Sequence, residues 1–125
     1  MSNILLIEPN TLLAKTYAQA LRQAGHQVAH STGAQAAIVA ADKQTPDVVI
    51  LELQLPVHNG IEFLQEFRSY SEWQGIPVIV NTVIPPTRLD SGRTALRQDL
   101  GVDTVVYKPR TSLSDLLGLV RQYIA

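Results

Sequence analysis

The sequence predicts an α/β fold, a five-stranded parallel sheet doubly wound with helices on both faces. Three observations carry that expectation. Short apolar runs suited to buried strands recur five times along the 125 residues. Between them, apolar residues repeat every three to four positions, the period of a helix with one inward face. No hydrophobic gap, internal repeat, low-complexity tract or linker breaks the alternation, which is the pattern of β-α units joined into one sheet.

Each element follows in order. Residues 4–7, Ile-Leu-Leu-Ile, make a short buried strand. Asn10 or Thr11 caps a helix carrying Leu13, Tyr17, Ala20, Leu21 and Ala24, with Gly25 as its stop. Residues 27–30 form a second short strand, and Thr32 caps an alanine-rich helix over Ala34–Lys43 that Pro46 closes. The third strand spans 48–53, its β-branched core at Val48 to Leu51. A helix beginning near Gly60 turns Ile61, Phe63, Leu64 and Phe67 inward, and Trp73 beyond it is expected to pack over the sheet edge. Residues 76–82 are strand four. After Pro85-Pro86 a single helix is expected to carry Leu89, Ala95, Leu96 and Leu100 as far as Gly101. Thr104–Tyr107 is strand five, and Ser112 or Ser114 opens a final helix holding Leu116, Leu117, Leu119, Val120, Tyr123 and Ile124.

Length and composition narrow the function classes. One domain over 1–125 is expected, with no output domain encoded, and folding at this size buries roughly two-thirds of the unfolded surface. The absence of cysteine removes disulfides, thiolate metal sites and a cysteine nucleophile. No basic leader precedes the first apolar run, and no segment approaches the length needed to span a membrane, so a cytoplasmic location with no membrane partner is expected. A net charge of −1 gives no general attraction to nucleic acid. Arg88, Arg93 and Arg97 are spaced to share part of a helix face, read as a solvated surface. His26, His30 and His58 lack metal-ligand spacing, and His58 is read as a solvent-facing loop residue. No phosphate loop and no nucleophile elbow occur, so the chain is not expected to be an enzyme.

Chemistry is concentrated where strands end, the edge of an open α/β sheet at which ligands bind. Strand one ends in Glu8-Pro9, strand three in Glu52, strand four in Thr82 and strand five in Lys108-Pro109. After Glu52 comes a turn with Leu55-Pro56 and Asn59-Gly60. Thr82 follows Glu52 by 30 positions, and Lys108 follows Thr82 by 26 (108 − 82). In order and on these elements, the residues closely resemble the receiver domains of bacterial response regulators, along essentially the whole chain.

The resemblance implies a flavodoxin-like sheet in the order 2-1-3-4-5 and a role in two-component phosphorelay signalling. It also exposes departures. The family's strand-three acid is normally a phosphoacceptor aspartate, and here it is Glu52. Its strand-one acids are normally a pair that helps hold a divalent cation, and here Pro9 replaces the second, offering neither carboxylate nor N–H. Glu8, Glu52 and Gln54 are left as Mg²⁺ candidates, weakened by Pro9, and no other cofactor is implied. The interval from Thr82 to Lys108 is about one helical turn longer than usual, so the loop after strand four, or the helix behind it, must be remodelled. The family often places an aromatic switch residue three positions before the lysine. Val105 stands there, with Tyr107 on the same strand face but nearer the lysine.

These departures point to an atypical receiver, a pseudo-receiver acting as a phosphorylation-independent protein-interaction module. Glu52 is expected to pair with Lys108, either as a fixed charge that holds one conformation or as the remnant of a degenerate site whose pair merely satisfies the lysine. The resemblance implies protein partners: a histidine kinase, an output protein, another receiver or a second copy of this chain. The implied interaction surface covers 93–100, Thr104–Tyr107 and 116–123, with Arg93, Arg97, Val105, Tyr107, Leu116 and Tyr123. Two alternatives stand beside this reading. One is a conventional or weakly phosphorylatable Mg²⁺-dependent receiver. The other is a small-molecule sensor with a pocket beside Glu52, Thr82 and Pro85-Pro86.

Overall fold

A computed structural model describes residues 2–90, 92–102 and 104–124. Five parallel strands lie in the order β2-β1-β3-β4-β5: β1 Asn3–Ile7, β2 Gln27–Ser31, β3 Val48–Leu51, β4 Val78–Thr82 and β5 Thr104–Tyr107. The connecting helices are α1 Thr11–Gln23, α2 Ala34–Lys43, α3 Gly60–Phe67, α4 Pro86–Leu89 and α5 Arg93–Gln98, and α6 Leu113–Tyr123 closes the domain.

Strand alternation sorts the core into two layers. Leu5, Ile7, Val49, Leu51, Val78 and Val80 meet Ala37 and Ala41 of α2, Phe63, Leu64 and Phe67 of α3, and Leu96 of α5. Ile4, Leu6, Val48, Ile50 and Ile79 face the other way, against Tyr17 and Leu21 of α1 and Leu116 and Val120 of α6. The central strands are buried on both faces, which is why they read as unbroken apolar runs.

Local signals set the helix ends. Asn10 caps α1 by accepting from the Leu13 amide. Asn59 with Glu62, and Ser112 with Asp115, form complete capping boxes at α3 and α6. Gly60 allows a close approach: a Cβ there would lie 2.7 Å from Leu53 Cα, and its amide donates to Leu53 O at 2.8 Å.

Several expectations are corrected. The single helix from Pro86 to Leu100 is two short ones, because Gly92, a poor helix former, heads α5 and no side chain caps either piece. The Gly92 amide closes a turn onto Leu89 O instead. Arg88 therefore sits on α4, apart from Arg93 and Arg97 on α5, and the three do not share one helix. The cap of α2 is Gly33, not Thr32, and it makes no side-chain bond. Strand three stops at Leu51 rather than 53, strand four starts at Val78 rather than 76, and strand two runs on to Ser31.

Trp73 is part of the core. It is buried and stacks on Phe67 with centroids 5.0 Å apart. Arg68 fixes this corner by donating to Trp73 O at 2.6 Å and Leu100 O at 2.9 Å, joining the end of α3 to the end of α5.

Candidate functional site

Three adjacent strands and the β5 turn deliver one polar cluster to the carboxyl edge of the sheet. The sheet ladder runs one residue past the ends of β1 and β3. Glu8 N donates to Ser31 O and Glu52 N to Ile7 O, both at 3.0 Å, so each carboxylate starts from a fixed backbone. Thr82 is the last residue of β4 and is fully buried. Lys108 opens a single 3₁₀ turn, Lys108–Arg110, held by Thr111.

Lys108 Nζ lies 2.5 Å from Glu8 Oε1 and 2.8 Å from Glu52 Oε1. Glu8 and Glu52 are 3% and 2% exposed, so this is a buried ion triad rather than a surface pair. Every carboxylate oxygen has a donor. Glu8 Oε2 accepts from the Asn10 amide at 3.0 Å. Glu52 Oε1 also accepts from the Val83 amide at 2.9 Å. Glu52 Oε2 accepts from the Thr82 hydroxyl and from the Gln54 amide at 3.1 Å. Thr82 Oγ1 in turn accepts from the Ile84 amide at 3.1 Å, so the segment after β4 is drawn down onto Glu52.

The electrostatics follow. Burial alone would raise the Glu52 pKa, but the hydrogen bonds from Lys108, Thr82, Gln54 and Val83 outweigh it and hold the carboxyl below its ordinary value. Burial alone would lower the Lys108 pKa, and its bonds to Glu52 and Glu8 outweigh that, so the ammonium is held above its ordinary value. Both groups are charged across the neutral range.

Sequence reasoning anticipated the side chains of this cluster but not its backbone. Glu8, Glu52, Thr82 and Lys108 come together; Pro9 sits beside them, half-buried. Gln54 contributes its amide N–H, while its side chain belongs to an exposed residue. The Asn10, Val83 and Ile84 amides have no side-chain signature that a sequence could reveal. His58 is exposed and pairs with Glu62 at 3.2 Å, outside the cluster. His30 Nε2 lies 2.9 Å from Glu8 O.

The surface expected to meet partners is also placed. Arg93 and Arg97 are exposed on α5 and, with Val102, Thr104 and Val105, line a shallow cleft of about 220 Å³. Tyr107 is half-buried under the Arg110 guanidinium, and Tyr123 is half-buried with its hydroxyl on Thr104 Oγ1. Leu116 is a correction. It is 1% exposed and packs into the core, because the apolar stripe of α6 faces the sheet.

A doubly wound α/β domain with acids, a hydroxyl and a lysine converging at its strand ends defines a class of switch domain, and the comparisons give the family. Residues 4–121 match the response regulator receiver domain model. The chain is 30% identical over 109 residues to the KDP operon transcriptional regulatory protein KdpE of Escherichia coli, covering 87% of this chain and 45% of that protein. It is 35% identical over 79 residues to the probable transcriptional regulatory protein TcrX of Mycobacterium tuberculosis, covering 63% and 33%. The chain thus spans less than half the length of these two relatives. The fold matches the solved chemotaxis response regulator CheY4 of Vibrio cholerae with a TM-score of 0.85 at 22% identity, covering 99% of each chain. This chain belongs to the response regulator receiver domain family and is a receiver domain of the two-component type.

The family implies a divalent cation at this edge, and the donor set here does not fit one. Mg²⁺ demands about six oxygens at 2.0–2.1 Å. Among the described residues no group of three or more His, Asp or Glu side chains is placed to hold a metal. Pro9 supplies no oxygen from its side chain, and both acids are already committed to Lys108 and to backbone amides. Nor, among the described residues, does any helix have the length and apolarity to cross a membrane.

Proposed function

We propose that this domain is a receiver that works without phosphorylation, a protein-interaction module in which Glu52 acts as a permanent charge. The observation that carries this reading is the complete engagement of the Glu52 carboxylate by Lys108, Thr82, Val83 and Gln54. A phosphoryl group on a shorter acid would present its oxygens to a hydroxyl, a lysine and backbone amides of this kind. Glu52 reaches about 1.5 Å farther than aspartate and meets them itself. The mimicry is partial, since a carboxylate carries −1 against about −2 for a phosphoryl group.

Two features oppose phosphoryl transfer. In-line attack needs a free carboxylate lone pair at a defined distance, and a displacement of about 1 Å can cost roughly a hundredfold in rate. It also needs cation screening of the incoming charge, which Pro9 undermines. The same closure argues against a small-molecule pocket here, because the buried Thr82 and Glu52 spend their polar groups on each other.

Partners would be proteins: a histidine kinase, an output protein, another receiver or a second copy. The surface offered is α5, β5 and the exposed side of α6, with Arg93, Arg97, Val105, Tyr107 and Tyr123. A beryllofluoride and Mg²⁺ titration followed by amide NMR tests the reading. The wild-type spectrum is expected to stay unchanged while Pro9→Asp/Glu52→Asp responds. Shifts in wild type at Thr82, Val83 and Lys108 would sink it.

A further inference from the structure

We propose that the arginine cleft of α5 and β5 docks head to tail on the acidic groove between α2 and α3 of a second copy of this chain. This pairing gives the interaction surface of the preceding reading a definite occupant, and it rests on that reading. The two helices carry opposite charge in the same pattern. Within α5, Arg93–Gln98, stand Arg93 and Arg97 and no acid; within α3, Gly60–Phe67, stand Glu62 and Glu66 and no base. Each pair is four positions apart, about 6 Å along a helix, so two guanidinium groups of one copy match two carboxylates of the next.

Both surfaces are open for this contact. Arg93 and Arg97 are exposed on the rim of the 220 Å³ cleft, and among the described residues neither forms an ion pair. Glu62 and Glu66 line a groove of about 460 Å³ with Ala34, Gln35 and Phe63. Glu66 is half-buried and has no ion-pair partner among the described residues. Glu62 accepts from the Asn59 amide and pairs with His58, which hold its carboxyl below its ordinary value, yet 49% of its side chain stays exposed. A two-fold pairing of α5 on α5 would gather four guanidinium groups with no acid in either helix, and like charges oppose it. Head-to-tail contact leaves a free cleft at one end and a free groove at the other, so association runs past the dimer. Exposed ion pairs are individually weak and screened by salt, so the assembly is weak and salt-sensitive.

The test is sedimentation velocity of wild type, Arg93→Gln/Arg97→Gln and Glu62→Gln/Glu66→Gln, each alone, and of the two variants mixed one to one. Glu62→Gln keeps the capping box of α3 served, since glutamine also fills that position. The wild-type average mass is expected to rise with concentration past that of a dimer in dilute salt. It is expected to return to the monomer at about 1 M salt, where screening acts within about 3 Å. Each variant alone is expected to stay monomeric. Their mixture is expected to stop at one-to-one dimers, because one intact cleft meets one intact groove. A wild type that stays monomeric in dilute salt overturns the proposal, as does a mixture without dimers. Association of either variant alone overturns it too, and for Glu62→Gln/Glu66→Gln would assign the arginines to an α5-on-α5 interface. A monomeric wild type leaves the Glu52 reading standing; wild-type shifts with beryllofluoride defeat that reading instead.

Discussion

Thr82 and Glu52 are hydrogen-bonded across two neighbouring strands, the threonine hydroxyl donating to Oε2 while it accepts from the Ile84 amide. One carboxylate thereby holds the end of β4 and the start of the segment that follows. Lys108 holds the same carboxylate from β5, so three strand ends are tied to one side chain.

The ties are expected to matter for stability. Glu52→Ala leaves Lys108 with one acid and strands the Val83 and Gln54 amides, and breaking a buried charge network costs about 3–5 kcal/mol. Thr82→Val removes one donor and orphans the Ile84 amide, for about 1–3 kcal/mol. Urea denaturation of both variants beside wild type checks the order. Equal, negligible losses would mean the cluster is dispensable to the fold.

Stability should also depend on pH with a definite sign. Glu52 has its pKa lowered from 4.5, so its contribution is complete above that value and is lost as pH falls through the lower folded one. Lys108 has its pKa raised from 10.5, so its contribution is complete below that value and is lost as pH rises through the higher folded one. Chemical denaturation across pH should show falling stability on both flanks. Glu52→Gln should flatten part of the acid flank.

Val57 carries backbone strain, a β-branched residue at φ 67 that is 94% exposed and buries little in return. Val57→Gly is expected to stabilise the domain by about 1 kcal/mol, measured as a raised urea midpoint. A destabilised variant would show that the valine makes a contact within the domain.

Gly60 should behave in the opposite way. Its missing Cβ would meet Leu53 Cα at 2.7 Å and Glu52 O at 3.0 Å, both backbone atoms that carry the acidic site. Gly60→Ala is expected to destabilise by about 1–3 kcal/mol. Hydrogen exchange at Gln54 and Val83, whose amides bond Glu52, should quicken with it.

Much of this molecule was legible in its sequence, and the misses have physical causes. The strands follow from apolar runs at regular spacing, while their order and the grouping of Glu8, Glu52, Thr82 and Lys108 were implied by the resemblance to receiver domains. The Glu52–Lys108 contact was expected; Glu8 as the second arm of Lys108 was not, because only the folded sheet sets strands one and five at one lysine's reach. The split between α4 and α5 was hidden because Leu89, Leu96 and Leu100 keep helical spacing while Gly92 breaks the helix. Leu116 was assigned to a surface by its element, although its neighbours on α6 decide which way it faces. Backbone donors such as Val83 and Gln54 leave no trace in residue identity.

We propose Glu52 as a fixed charge and not a phosphoacceptor. Intact-mass measurement after incubation with acetyl phosphate and Mg²⁺ tests it most directly, with wild type beside Pro9→Asp/Glu52→Asp. Wild type is expected to keep its mass, and the double variant to gain that of one phosphoryl group. A phosphoryl gain on wild type, mapped to Glu52, would contradict the account.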